Sequence, residues 1–227
     1  EQAGADTMRW LYARQDPEIN LNFGYGPLRE VRGGFINTLW NTYAFFANYA
    51  RLENWVYPDA PTPFDDRTLF DQWILTELQL LIKKCRHGFE HTDIRSAALA
   101  IEAFVENLSN WYVRHNRKRF WKIEENDEIK ARAAFETLFE CLLTVAKLVA
   151  PILPFLAESI YQNLANGALE NPQESVHLEM YPTADESKID MELRDEMAAV
   201  EAFTKLALSA REAQKLKIRQ PLSKMIL

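Results

Sequence analysis

The chain has 227 residues, 48% of them hydrophobic and 26% charged, an ordinary balance for a soluble globular protein. That length suits one large domain, or one domain with a small appendage, and its core needs no disulfide or metal staple. A formal net charge of −7 excludes a uniformly basic polyanion binder. The charge is nevertheless uneven. Residues 1–82 carry six basic side chains against eleven acidic, 83–122 nine against four, 123–202 five against seventeen, and 203–227 six against one. Two basic blocks in an acidic body confine any polyanion contact to a local face.

Cys85 and Cys141 each sit inside an apolar helical run, and His87, His91, His115 and His177 do not fall beside them at zinc-ligand spacing. Both cysteines read as reduced core residues, as in cytosol. No charged-then-apolar leader opens the chain, and no apolar run approaches the roughly 18–20 residues of a membrane span. The expectation is a cytoplasmic monomer without membrane contact.

Helical periodicity dominates and glycine is scarce, which predicts an all-α chain. A short helix fits Gly4–Arg14, ending before Asp16-Pro17. Ile19–Phe23 alternates apolar and polar like a short strand, broken by Gly24-Tyr-Gly-Pro27. Leu28, Val31, Phe35, Leu39, Thr42, Phe46 and Tyr49 recur at helical steps, with Pro27 in the first turn. Pro58, Pro61 and Pro63 mark a loop, and Asp65 or Asp66 is placed to cap a second helix with the stripe Leu69, Trp73, Leu78, Leu81, Cys85 and Phe89. Thr92 or Asp93 caps a third helix, with Ile94, Ala98, Ile101, Val105, Leu108 and Tyr112 inward. Asp127 starts a fourth, carrying Ala134, Leu138, Cys141, Val145 and Leu148. Pro151 and Pro154 interrupt it, and a fifth helix follows from Phe155 to Leu164, closed by Asn166-Gly167. Val176–Met180 reads as a short extended piece, 190–215 as a last helix, and Leu216–Arg219 as a strand before Pro221. The sum is an antiparallel helix bundle over 26–215, flanked by short extended segments. Residues 1–25 read as the end of a preceding domain, and 216–227 as the start of a following region.

No glycine-rich phosphate loop, metal-ligand cluster or nucleophile–base pair stands out. Glu124, Glu125, Asp127 and Glu128 form an acidic run that reads as a solvated helix start. The segment Asn107–Lys122 is different. On a helix, Leu108 and Tyr112 continue the core stripe, while Asn110, Arg114, Arg117, Lys118 and Trp121 share another face. Phosphates call for the cations, splayed bases for planar groups to stack on, and base edges for amides. The same residues also fit a solvated basic helix with Trp111 and Trp121 packed on neighbours. On the first long helix, Asn37, Asn41 and Asn48, with Trp40 alongside, lie roughly opposite the core stripe. Asparagine is a poor interior helix residue, so several on one face suggest recognition; exposed polar filler is the plainer alternative. Arg29 and Arg32 at the helix start reach toward phosphate, or toward Glu30 and Asp16. Lys205, Arg211, Lys215, Lys217 and Arg219 fit a basic helix end, which the helix dipole favours anyway.

These stretches resemble a known family. Gly4–Trp10 is similar to the segment that follows the Lys-Met-Ser-Lys-Ser loop in class I aminoacyl-tRNA synthetases of the Ile/Val/Leu/Met group. Asp71-Gln-Trp-Ile-Leu75 resembles their Asp-Arg-Trp-Ile-Leu helix start, with Gln72 in place of the usual Arg. Leu108–Arg114 continuing to Arg117–Trp121, Ala150–Glu158, Ile160–Leu164, Ser175–Leu178 and Ile218–Leu222 agree in order and spacing, and the first of these is characteristic of isoleucyl-tRNA synthetases. The resemblance covers nearly the whole chain. It implies a class Ia anticodon-binding bundle that grips the anticodon stem-loop of isoleucine tRNA and works with the remainder of the synthetase chain. The parent would use ATP and Mg²⁺. Neither of its signatures, His-Ile-Gly-His or Lys-Met-Ser-Lys-Ser, occurs here, so the resemblance implies no cofactor and no catalysis in this piece. A valyl or leucyl anticodon domain, or a protein-binding helical scaffold, are the rival readings.

Overall fold

A computed structural model describes residues 4–121 and 127–221. The chain divides into two compact units, Glu1–Ile189 and Asp190–Leu227. In the first, α1 (Ala5–Ala13) is followed by α2 (Tyr25–Val31), a π turn at Arg32–Ile36 and α3 (Asn37–Leu52). Next come α4 (Leu69–Glu90) and α5 (Ile94–Asn107). A second π turn, Leu108–Val113, leads into α6 (Arg114–Asn116) and α7 (Lys118–Trp121). The unit closes with α8 (Glu128–Val149) and α9 (Pro154–Ala168). The second unit is built on α10 (Met191–Ala213), whose Asp190 side chain caps Leu193 N–H. The all-α bundle expected from periodicity is therefore the observed architecture.

Two helical hairpins, α4–α5 and α8–α9, make the frame, and α3 packs on α8. The first hairpin is tight. A Cβ on Gly88 would lie 2.8 Å from Asp93 O and 3.1 Å from Ala97 Cβ, so only glycine lets the two helices approach this closely. The core holds the apolar residues that the helical steps pick out, including Leu39, Phe46, Trp73, Ile101, Tyr112, Leu138 and Val145. Leu69, assigned to the second stripe, is instead 65% exposed, in the first turn of α4. The α4 cap is Thr68, not Asp65 or Asp66, which lie in a 3₁₀ turn. Thr68 and Asp71 form a reciprocal capping box that satisfies two end donors.

Three expected extended pieces take other forms. Ile19–Phe23 is irregular, with Tyr12 stacked on Phe23 at 6.0 Å. Val176–Leu178 is a 3₁₀ turn capped by Ser175. Leu216–Arg219 is coil and turn, folded back so that Arg211 donates to the Lys217 and Ile218 carbonyls. No strand forms among the described residues, because none of these alternating runs meets a partner strand. Gly167 lies within α9 rather than after it. Glu124 and Glu125 fall outside the described residues.

Residues 4–14, read from sequence as a neighbour of the bundle, are fastened to it. Arg9 Nε donates to Ile152 O at 2.8 Å, and Asp6 accepts from Leu156 N–H at 2.7 Å. Trp10 is fully buried and stacked on Phe35 at 4.1 Å. Both cysteines are buried and free; burial pushes Cys85 up to about 12 and Cys141 well above its ordinary value, so both thiols stay protonated and unreactive.

Candidate nucleic-acid interface

The basic segment 110–121 has two sides, and a buried carboxylate sorts its residues between them. Asp71 is completely buried in the first turn of α4. Arg119 meets it with both terminal guanidinium nitrogens, Nη1 to Oδ1 at 2.9 Å and Nη2 to Oδ2 at 2.7 Å. Tyr112 Oη donates to the same Oδ1 at 2.6 Å, and Arg119 Nη1 also reaches Asn116 Oδ1 at 2.9 Å. Burial works against the Arg119 charge, but the hydrogen bond to Asp71 and its neighbouring negative groups hold its pKa above the ordinary value. Burial, then the adjacent Asp71 charge, raises Tyr112 well above an ordinary phenol. This network turns the inner face of the segment toward α4.

The outer face carries the remaining cations. Asn110, Arg114, Arg117 and Lys118 are exposed, as is Trp121 at 46%. Among the described residues, none of the three cations has a carboxylate partner. The Arg117 guanidinium lies over two rings, 5.2 Å from the Trp121 centroid and 5.8 Å from that of Phe45. Tyr49 extends this surface, 6.1 Å from Trp121.

A groove of about 290 Å³ runs between α3 and this face. Asn41, Thr42 and Phe45 form one wall; Ser109, Asn110, Val113, Arg114 and Arg117 form the other. Two features that sequence reasoning treated separately, the asparagine face and the basic face, thus meet across one hollow. The π turn Leu108–Val113 makes the second wall, and Asn116 Nδ2 donates to Tyr112 O at 2.8 Å. Such turns widen a helix and recur at functional sites.

Asn37 is exposed one turn before Asn41 and Lys118 one residue beyond Arg117, both outside the groove lining. Trp40 is 41% exposed, but it packs on Tyr43 at 5.2 Å and does not line the groove. One helical residue is a 100° rotation, which carries Trp40 to the next flank. Phe45 was missed, and Tyr49, assigned to the core stripe, is instead half-buried beside Trp121. For Phe45 the signal was positional, four residues after Asn41 on the same side of the helix. Trp111 is half-buried and stacks on His115 at 4.8 Å, as its packing alternative required. Of the C-terminal basic residues, Lys205 lies 3.7 Å from Glu201, and Arg211 serves the end of its own helix.

Chemically, the groove offers two guanidinium groups for phosphate and two amides for base edges, and the exposed Trp121 ring beside Arg117 offers a stacking surface. Among the described residues no group of three or more His, Cys, Asp or Glu is placed to hold a metal ion. Nor is any described helix long and apolar enough to cross a membrane. An all-α scaffold with such a groove has the chemistry that a helical nucleic-acid-binding module requires.

The comparisons narrow the class. The model of the anticodon-binding domain of tRNA ligases matches residues 71–226, and the chain belongs to that family. Along its whole length it is 42% identical to a segment of the isoleucine–tRNA ligase of Cytophaga hutchinsonii, covering 20% of that protein. The Clostridium novyi isoleucine–tRNA ligase is 40% identical over 100% of this chain and 22% of its own length. The Thermus thermophilus one is 42% identical over 96% of this chain and 21% of its own. The chain thus spans about one fifth of these relatives. Among solved structures, the ternary complex of Agrobacterium radiobacter K84 agnB2 LeuRS with tRNA and LeuAMS superimposes with a TM-score of 0.59. That likeness covers 83% of this chain and 20% of that one, at 18% identity, and it supports the fold.

Proposed function

We propose that this chain grips the anticodon stem-loop of an isoleucine tRNA as part of an isoleucine–tRNA ligase. The observation that carries this reading is the convergence of Asn41 with Asn110, Arg114 and Arg117 on one groove whose guanidinium groups, among the described residues, have no carboxylate partner. Isolated cations facing a hollow lined by amides suit a strand of alternating anions and bases. Trp121, exposed and already covered on one side by Arg117, supplies a surface on which an unpaired base stacks. Asn37 and Lys118 extend the track at its margins, while Trp40 serves another flank.

The binding energy has two parts. Arg114, Arg117 and Lys118 release counterions when they meet phosphates, which makes affinity salt-dependent, while stacking at Trp121 is nearly salt-independent. Buried Asp71 and the half-buried Arg119 paired with it contribute by holding the outer face in place. The whole ligase would attach isoleucine to tRNA with ATP and Mg²⁺, and that chemistry belongs to parts of the protein outside these 227 residues. Residues 1–25 carry the link to the catalytic part and 216–227 the link onward. The protein works in the cytoplasm as a monomer.

The test is fluorescence anisotropy of the chain against an isoleucine tRNA transcript at low salt, with an anticodon-swapped transcript as control. Preferential binding to the isoleucine anticodon, weakening steeply as salt rises, is the expected result. Preference for a valine or leucine transcript would move the chain to another ligase, and salt-insensitive or absent binding would remove the RNA reading.

A further inference from the structure

Two of the histidines fall four residues apart, His87-Gly-Phe-Glu-His91, in the last turn of α4 and at its C-terminal cap. Four residues is little more than one helical turn, so both side chains leave the same face. Both residues are exposed, and their ring centroids lie 4.0 Å apart with planes 30° from parallel. His91 Nδ1 meets the His87 carbonyl oxygen at 2.9 Å. A carbonyl oxygen only accepts, so Nδ1 carries the proton and the neutral ring keeps its lone pair on Nε2. A metal-binding imidazole is held in this way, its other ring N–H donating to a backbone carbonyl that fixes tautomer and orientation.

The backbone beneath the pair is anchored. His91 N–H donates to His87 O at 3.0 Å, Asp93 N–H to Gly88 O at 2.8 Å, and Asp93 Oδ1 accepts from Ser96 N–H at 3.1 Å. Ligands carried on a fixed backbone lose little freedom when they bind. The Asp93 carboxylate, held below its ordinary pKa chiefly by the Ser96 side chain and N–H, also feels His87, which puts negative charge near a bound cation. Two imidazole nitrogens on one ion, each about 2.0–2.1 Å from it, lie about 3 Å apart. Rings already 4.0 Å apart reach that spacing by small rotations of exposed side chains. The other histidines are placed differently: His115 stacks on Trp111 at 4.8 Å and on Phe70 at 5.8 Å, and His177 lies in the 3₁₀ turn Val176–Leu178.

We propose that His87 and His91 form a two-point chelate for a divalent transition-metal ion that favours imidazole, in the group of Ni²⁺, Cu²⁺ and Zn²⁺. Two ligands leave the site open, and solvent fills the remaining positions. Gly88 stands where a hydrolytic His-Glu-x-x-His helix carries its general base, so the pair holds a metal without hydrolytic chemistry. Sixteen residues of helix separate His87 from Asp71, a rise of about 24 Å. The chelate therefore acts on the α4–α5 corner and is independent of RNA binding in the groove.

The experiment is calorimetric titration of the untagged, chelator-stripped 227-residue chain with Ni²⁺, Cu²⁺ and Mg²⁺ in turn. Wild type is expected to bind one equivalent of Ni²⁺, to bind Cu²⁺ more tightly, and to show no site for Mg²⁺, which takes oxygen ligands. His87→Gln and His91→Asn, the latter a residue that helix ends accept, each leave one imidazole of the pair. Each should weaken Ni²⁺ binding by about tenfold or more, since loss of a mere supporting contact already costs that much. His115→Gln should leave it unchanged. Ni²⁺ should also raise the thermal midpoint of wild type but of neither pair variant, because the folded last turn is what holds the two rings together. Metal-free melts of the two exposed-site variants are expected to match wild type. Absence of a Ni²⁺ site in wild type, undiminished Ni²⁺ affinity in either pair variant, or Mg²⁺ binding as tight as Ni²⁺ would overturn the chelate.

Discussion

Arg117 and Arg119 lie two residues apart in one basic segment, yet the fold gives them opposite tasks. Arg119 points inward and spends its charge on Asp71, which is completely buried. Arg117 points outward between Phe45 and Trp121, with no carboxylate among the described residues. A run of like charges is therefore two populations, divided by whether a buried carboxylate waits on the facing helix. The first orders the scaffold and the second is left for a partner.

The largest effects should fall on the inner population. Asp71→Ala strands a largely buried guanidinium and removes the partner of Tyr112, and is expected to cost about 3 kcal/mol in urea unfolding. A loss below about 1 kcal/mol would erase the distinction between the two arginines. Next comes Trp121→Ala, which removes a half-exposed stacking ring; affinity for the tRNA should fall by about 1–3 kcal/mol with the salt slope unchanged. A flatter slope in that variant would mean that Trp121 acts by positioning Arg117 instead of by stacking.

Smaller still is a pH effect away from the groove. Tyr161 Oη donates to Glu179 at 2.6 Å, and Lys147 lies 3.0 Å away. Burial opposes the Glu179 charge, but these two partners outweigh it and lower its pKa below the ordinary value. A depressed carboxylate adds stability above its unfolded pKa, about 4.3, and loses it as pH falls through the folded value. Glu179→Gln should therefore flatten the acid limb of a stability–pH curve and leave tRNA affinity unchanged. An acid limb identical to wild type would show that the pair adds nothing.

The helical frame was legible in the sequence because burial follows the 3.6-residue step, as at Leu39, Phe46, Ile101 and Val145. Ile19–Phe23 and Leu216–Arg219 alternate like strands, but alternation is a local pattern and a strand needs a partner that the described residues do not provide. The site was half legible. Residue type and spacing separated Asn110, Arg114, Arg117 and Trp121 from the core stripe, and chemistry picked out Asn41. What no spacing rule could show is that these two faces oppose each other across one groove, nor that Arg119 is spoken for by a residue 48 positions earlier. Trp40 shows the reverse, for proximity to Asn41 in sequence places its ring on a different flank.

The most direct measurement is the salt dependence of tRNA binding by the double variant Arg114→Ala/Arg117→Ala, compared with wild type by anisotropy. The account predicts a thermal melt like that of wild type, weaker binding, and a log–log slope shallower by about two, one for each lost phosphate contact. An unchanged slope with unchanged affinity would contradict it, because the outer arginines would then be surface charge and the groove would have no claim on RNA.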